Sequence, residues 1–155
     1  MTRILQSFLL LTCLGATTLC YAQTEEAAVK RAITDFFDGM RKSDTSLIRS
    51  AVTSQCILQT TIQGKDGNLL VRTDAMTDFM STIAKPHPEI YDERIEFESI
   101  KIDGPLASVW TPYHFYVGTK FSHCGVNSFQ LVKQSGVWKI QYIIDTRRRT
   151  GCNPQ

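Results

Sequence analysis

The sequence predicts an α+β fold in which N-terminal helices pack on one face of a strongly curved antiparallel sheet. Apolar residues in the first half recur mostly at three- and four-residue intervals, the period of a helix with one buried stripe. From Asp92 onward the period changes to two, as in strands whose side chains alternate between faces. Short turn signals at Asp103-Gly104, Gly118 and Gln134-Ser135-Gly136 join the later segments, so a long meander follows the helices.

The fold is expected to begin after a leader. Residues 1–22 carry one positive charge (Arg3), the apolar run Ile4 to Leu14, and then small and polar residues up to Ala22. That is the pattern of a secretory signal cleaved after Ala22. The apolar run is much shorter than the roughly 20 residues of a membrane span. Neither Cys13 nor Cys20 follows the small residue that a lipid-anchored cysteine needs. The expected product is one soluble, exported domain over residues 23–155, periplasmic or secreted.

Loss of Arg3 leaves 16 Lys and Arg against 15 Asp and Glu. The only basic run is Arg147-Arg148-Arg149, so neither nucleic acid nor a membrane is an expected partner. Three of the five cysteines lie beyond the leader: Cys56, Cys124 and Cys152. Export favours a disulfide, and three cysteines allow three single bridges.

Glu25 to Lys42 reads as a helix with Val29, Ala32, Ile33, Phe36, Phe37 and Met40 on one stripe. Glu25 and Glu26 in its first turn and Arg41 and Lys42 in its last suit the helix dipole. Asp44 can cap a short second helix carrying Leu47, Ile48, Ala51 and Val52. Cys56 to Ile62 and Leu69 to Arg72 read as strands around the turn residues 63–68. Thr73 is expected to cap a third helix, with Met76, Phe79, Met80 and Ile83 inward and Lys85-Pro86-His87-Pro88 as its stop. ERIEFESIKID then reads as one half-exposed strand, followed by three long strands over ASVWTPYHFYVG, FSHCGVNSFQLVK and VWKIQYIIDT.

With W-x-P-Y-x-F-Y (Trp110 to Tyr116), H-C-G (His123 to Gly125) and G-V-W-K-I…D-T-R-R (Gly136 to Arg148), this order resembles the nuclear transport factor 2-like superfamily, and within it exported bacterial members of unassigned activity. The resemblance implies a cone-shaped α+β barrel, cystatin-like, which often dimerises through the outer face of its sheet. It does not carry over a catalytic set. A ketosteroid isomerase pattern would need a tyrosine where the first helix has Phe36 and Phe37. A limonene epoxide hydrolase pattern would need an Asp-Arg-Asp set, and only Asp145 with Arg147 comes near. A scytalone dehydratase pattern would need two histidines and tyrosines around a pocket, for which His114, His123, Tyr113 and Tyr116 have the right types.

Simple alternation, with Tyr116 facing His123 and His123 facing Arg147, sorts the long strands into two faces. One collects Trp110, His114, Tyr116, His123, Asn127, Phe129, Gln141, Ile143, Asp145 and Arg147. The other collects Val109, Thr111, Tyr113, Phe115, Cys124, Val126, Ser128, Val132, Trp138, Ile140, Tyr142, Ile144 and Thr146. The second is the more apolar and is the expected partner of the helices, leaving the first as an outer, dimer-forming surface. A bulge or a one-residue slip would change this assignment, and Pro112 favours an irregularity.

Ligand-binding candidates are Trp110, Tyr113, Ser128, Trp138 and Tyr142, although the two tryptophans read more readily as core than as ligand platforms. Adjacent strand residues point to opposite faces, so His123 and Cys124 do not form a nucleophile-base dyad. A metal site needs three or four convergent ligands, and only three histidines are present, one of them (His87) between prolines. Neither metal nor cofactor is therefore expected. Cys124 reads as a small core residue or as half of a disulfide, with Cys152 the preferred partner and Cys56 the alternative. Asp145 beside Arg147 and Arg148 reads as a same-face ion pair, or as a general base whose pKa burial would raise.

The leading expectation is a binding module for a small apolar or aromatic molecule, working as a homodimer. The alternative is a cofactor-independent lyase, isomerase or hydrolase with His123, Tyr113 and Asp145 as catalytic candidates. A purely structural partner domain is the third reading.

Overall fold

A computed structural model describes residues 24–64 and 66–153. The expected leader, residues 1–22, lies outside the described residues. Helix α1 (24–42) and helix α2 (Thr45–Ala51) are followed by strands β1 (Val52–Gln63) and β2 (Leu69–Ala75) and helix α3 (Met76–Ala84). Strands β3 (Tyr91–Ile95), β4 (Ser99–Asp103), β5 (Leu106–Val117), β6 (Lys120–Gln134) and β7 (Val137–Thr146) complete the chain.

The strands form one sheet in the order β2-β1-β7-β6-β5-β3, with β4 on the same edge of β5 as β3. Every pairing is antiparallel except β1 with β7. That parallel contact returns the first strand to the last and curls the sheet around α1, giving a cone. The predicted stripe of α1 is buried from Val29 to Met40 and meets Phe129, Leu131, Trp138 and Ile140 of the sheet in one core. Asp44 caps α2, its carboxylate accepting the backbone N–H groups of Ser46 and Leu47, each at 3.0 Å.

Two element boundaries differ from the sequence expectation. Thr73 does not cap α3; β2 continues to Ala75 because it stays paired with β1 as far as Ile57, and the Thr73 hydroxyl accepts from Gln59 Nε2 at 2.9 Å. ERIEFESIKID is two strands rather than one. The break faces Pro112, which accepts from the Glu96 N–H but has no N–H to return, so the ladder on that edge lapses there.

The larger difference concerns the faces. Phe115 rather than Tyr116 pairs with His123, because Ser122 is an extra residue between the pairs Phe115–His123 and Tyr116–Phe121. Gln141 is a second extra residue, between Gln130–Tyr142 and Leu131–Ile140. Each bulge reverses the alternation on its strand. The inward surface is thus a patchwork: Val109, Thr111, Tyr113 and Phe115 from β5, Trp138 and Ile140 from early β7, but His123, Asn127 and Phe129 from β6 and Ile143 and Asp145 from late β7. The expectation that His123 and Asp145 belong to the outer surface is corrected by these two single-residue insertions.

Candidate functional site

The cone encloses a cavity of about 390 Å³. Much of the lining is apolar: Phe36, Phe37 and Met40 of α1, Phe79 and Ile83 of α3, and Leu58, Tyr91, Phe115 and Ile143 of the sheet. Phe36 and Phe79 stack with ring centroids 5.6 Å apart. Among these stand polar groups, Glu93, Asn127, His123, Asp145 and Arg147, while Arg72, Asp74 and Asp78 also line the cavity and bring charge from β2 and α3.

Asp145 is the hub of the polar groups. It accepts from Thr60 Oγ1 at 2.5 Å, from Tyr113 Oη at 3.1 Å and from Arg147 Nε at 2.8 Å. Arg147 also donates to Thr60 Oγ1 at 3.1 Å, which ties β1, β5 and the end of β7 into one network. Both Asp145 oxygens are thereby occupied by protein donors. Tyr113 is only 2% exposed; burial first, and the carboxyl groups of Glu93 and Asp145 next, hold its phenol far above the ordinary value. It serves as a fixed donor, its single O–H shared between Asp145 and the Thr146 carbonyl, the latter at 2.9 Å.

Glu93 and His123 are differently placed. Glu93 Oε1 accepts from Asn127 Nδ2 at 2.8 Å, and the carboxyl lines the cavity. Burial raises its pKa to about 7; the Asn127 hydrogen bond opposes that rise, Asp145 adds to it and Arg147 opposes it. His123 Nδ1 is 3.0 Å from Ser122 Oγ, and its ring lies 5.0 Å from that of Phe115. Burial, and after it the guanidinium of Arg147, hold the imidazole below its ordinary value. Near neutrality the site therefore holds an acid that keeps much of its proton beside a mostly neutral base.

A stability test follows for Glu93. The folded chain binds this proton more tightly than the unfolded one, so the group contributes fully below about pH 4.5 and its contribution is lost as pH rises towards about 7. The full swing is about 3 kcal/mol. Denaturant unfolding at pH 5 and pH 8 is expected to show wild type losing more stability across that interval than Glu93→Gln. Equal losses would mean that Glu93 is as well hydrated folded as unfolded.

Of the residues singled out from sequence, His123 and Asp145 line the cavity and Tyr113 lies behind Asp145. Trp138 is core, 3% exposed, with Nε1 donating to Glu25 at 2.8 Å. Trp110, Ser128 and Tyr142 point to the outer face; Trp110 is 45% exposed and Tyr142 donates to Gln59 at 2.5 Å. Cys124 is bonded to Cys152, and Cys56 is buried, its thiol pushed up to about 12 by burial. Among the described residues no group of three His, Cys, Asp or Glu is arranged to hold a metal ion, and no helix is long and apolar enough to cross a membrane.

Sequence reasoning missed Glu93. Its signal was present: it shares parity with Ile95 on β3, which places an acid on the apolar face of a strand. Thr60 and Asn127 gave no such sign.

Residues 24–142 match a family described as "Putative lumazine-binding". No curated protein matches the sequence. Among solved structures, an NTF2-like protein of unknown function from Shewanella baltica is 18% identical, with a TM-score of 0.62 over 82% of this chain and 96% of that one. A putative scytalone dehydratase from Novosphingobium aromaticivorans is 15% identical, with a TM-score of 0.67 over 86% and 91%. A cystatin-like-fold domain of unknown function from Nostoc punctiforme is 12% identical, with a TM-score of 0.61 over 83% and 80%. At these identities the likeness speaks for the fold alone.

Proposed function

The chain belongs to the putative lumazine-binding family and to the nuclear transport factor 2-like superfamily, and we propose that its cone binds a small planar molecule with an aromatic body and hydrogen-bonding groups on its rim. The single observation that carries this reading is the lining of the cavity, mostly aromatic and aliphatic with a few polar groups set among them, Glu93, Asn127, His123, Asp145 and Arg147. Its volume falls within the range of small-molecule sites, which are mostly apolar with a few convergent polar groups.

A lumazine, a fused bicyclic ring with amide-like N–H and C=O groups along one edge, has this shape and polarity. The Glu93 carboxyl, when protonated, offers a donor and an acceptor side by side. Arg147 spends Nε and one terminal nitrogen on Asp145 and Thr60, leaving further guanidinium N–H groups for a ligand carbonyl. Phe36, Phe79 and Phe115 supply ring faces for stacking. Export after loss of the leader, and a homodimer through the outer sheet face around Trp110, belong to the same reading. So does a small molecule, rather than nucleic acid, as the partner.

The test is a titration with lumazine, followed by its own fluorescence. Saturable binding is expected, weakened about tenfold in Asn127→Ala, which costs Glu93 its hydrogen bond. Absence of saturable binding by lumazine and by 2-naphthol would sink the reading. Binding of 2-naphthol alone would remove the hydrogen-bonding rim from it.

A further inference from the structure

We propose that Glu93 and His123 form an acid-base pair that relocates a proton across the ring of the bound molecule, so that the cavity is a catalytic site for tautomerisation. This rests on the binding reading above. The observation behind it is a register. Glu93 on β3 pairs with Phe115 on β5, and Phe115 pairs with His123 on β6. All three line the cavity. A carboxyl and an imidazole thus stand on either side of an aromatic platform, two strand spacings apart, or about 10 Å between Cα atoms. A planar ring laid over Phe115 meets the acid at one edge and the base at the other.

Two titratable groups close to this pair do not fit these roles. Asp145 has both oxygens engaged by Thr60, Tyr113 and Arg147, so it is a positioning residue. Tyr113 holds its proton too tightly to give it up. Glu93 retains a second oxygen beyond its bond from Asn127, and His123 retains Nε2 beyond Ser122. Asp145 and Arg147 act on both groups, and Arg149 acts on His123.

In the step, imidazole Nε2 takes a proton from one ring position and that C–H or N–H electron pair moves into the conjugated system. A pair on the far heteroatom takes the Glu93 proton. No atom is gained or lost, and proton exchange with water returns the pair to its starting state. The usable protonation states coexist between the depressed His123 value and about pH 7, so a bell-shaped kcat/KM profile is expected.

The probe is 5-nitrobenzisoxazole, a planar bicycle that rearranges when a base removes its ring C–H. That electron pair forms the third C–N bond, the N–O bond breaks, and the oxygen leaves as phenolate or takes a proton from the acid. Binding of the unreactive 5-nitrobenzotriazole is measured alongside by calorimetry. Turnover above buffer is expected with a bell-shaped profile, reduced about 100-fold in His123→Gln with benzotriazole binding retained. Glu93→Gln is expected to remove the alkaline limb. Turnover unaffected by His123→Gln overturns the pair. Benzotriazole binding without turnover overturns the proposal and leaves the binding reading standing, whereas failure of both ligands removes both. His123→Asn is read in the same way if the glutamine variant does not fold.

Discussion

Gly125→Ala is expected to prevent stable folding, although alanine is the smallest possible change. A Cβ at this position would lie 1.8 Å from the Thr146 carbonyl oxygen and 2.7 Å from Tyr113 Cε1. Neither neighbour is the free end of a flexible side chain. The carbonyl is backbone, and the Tyr113 ring is held by its bonds to Asp145 and Thr146. Gly125 pairs with Tyr113 across β5 and β6, and the missing side chain is what lets that ring lie flat enough to reach the end of β7. Glycine inside a strand often marks such a close approach. Separating β6 from β7 here breaks a buried hydrogen-bond network and opens the core together, which places the cost above about 4 kcal/mol. Urea unfolding of Gly125→Ala measures it, with Gly104→Ala as the contrast, because an added Cβ there has no neighbour within 4 Å and the cost is confined to its positive φ. A Gly125→Ala protein as stable as wild type would mean that Tyr113 does not rest against β6.

Most of the fold was legible because it is written in periods. The α1 stripe, the Asp44 cap, the proline stop after α3 and the long strands each follow from residue spacing or from one local interaction. The site was much less so. Whether His123 and Asp145 face the helices depends on the placement of two extra residues, Ser122 and Gln141. Neither is a glycine or a proline, and neither interrupts the β-branched and aromatic run around it. A bulge of this kind is set by how the strands must bend to close the cone, which is a tertiary demand. The parallel β1–β7 contact is also long-range, and it is what brings Thr60 to Asp145. Glu93 was the exception, since its parity with Ile95 was open to reading once an acid on an apolar face was taken as a signal rather than as noise.

Cys152→Ser is expected to lower stability by about 3 to 4 kcal/mol, from the loop-closure entropy of a bridge whose ends are 28 residues apart. For a domain of this size that is roughly 10 to 20 °C in Tm. Reduction of wild type should reproduce the loss, whereas Cys56→Ala should leave the response to reductant unchanged, since Cys56 is a buried free thiol. The bridge also bears on the site. Beyond β7 the chain is held to β6 by the bridge and by two backbone hydrogen bonds between Cys124 and Arg148, at 3.0 and 2.9 Å. Arg147, the residue just before this anchor, reaches back to Asp145 and Thr60. Freed from Cys152, the anchor keeps only its backbone pair, on an exposed segment beyond β7 where such pairs open readily. Lumazine binding by Cys152→Ser should therefore weaken at temperatures well below the unfolding transition, with Arg147→Lys, which keeps the charge but loses the planar fork, weakening it without the fall in Tm. Unchanged binding in Cys152→Ser alongside lowered Tm would separate the two roles, leaving the disulfide as a staple of the fold and the Cys124–Arg148 backbone pair as sufficient to hold Arg147 in the cavity.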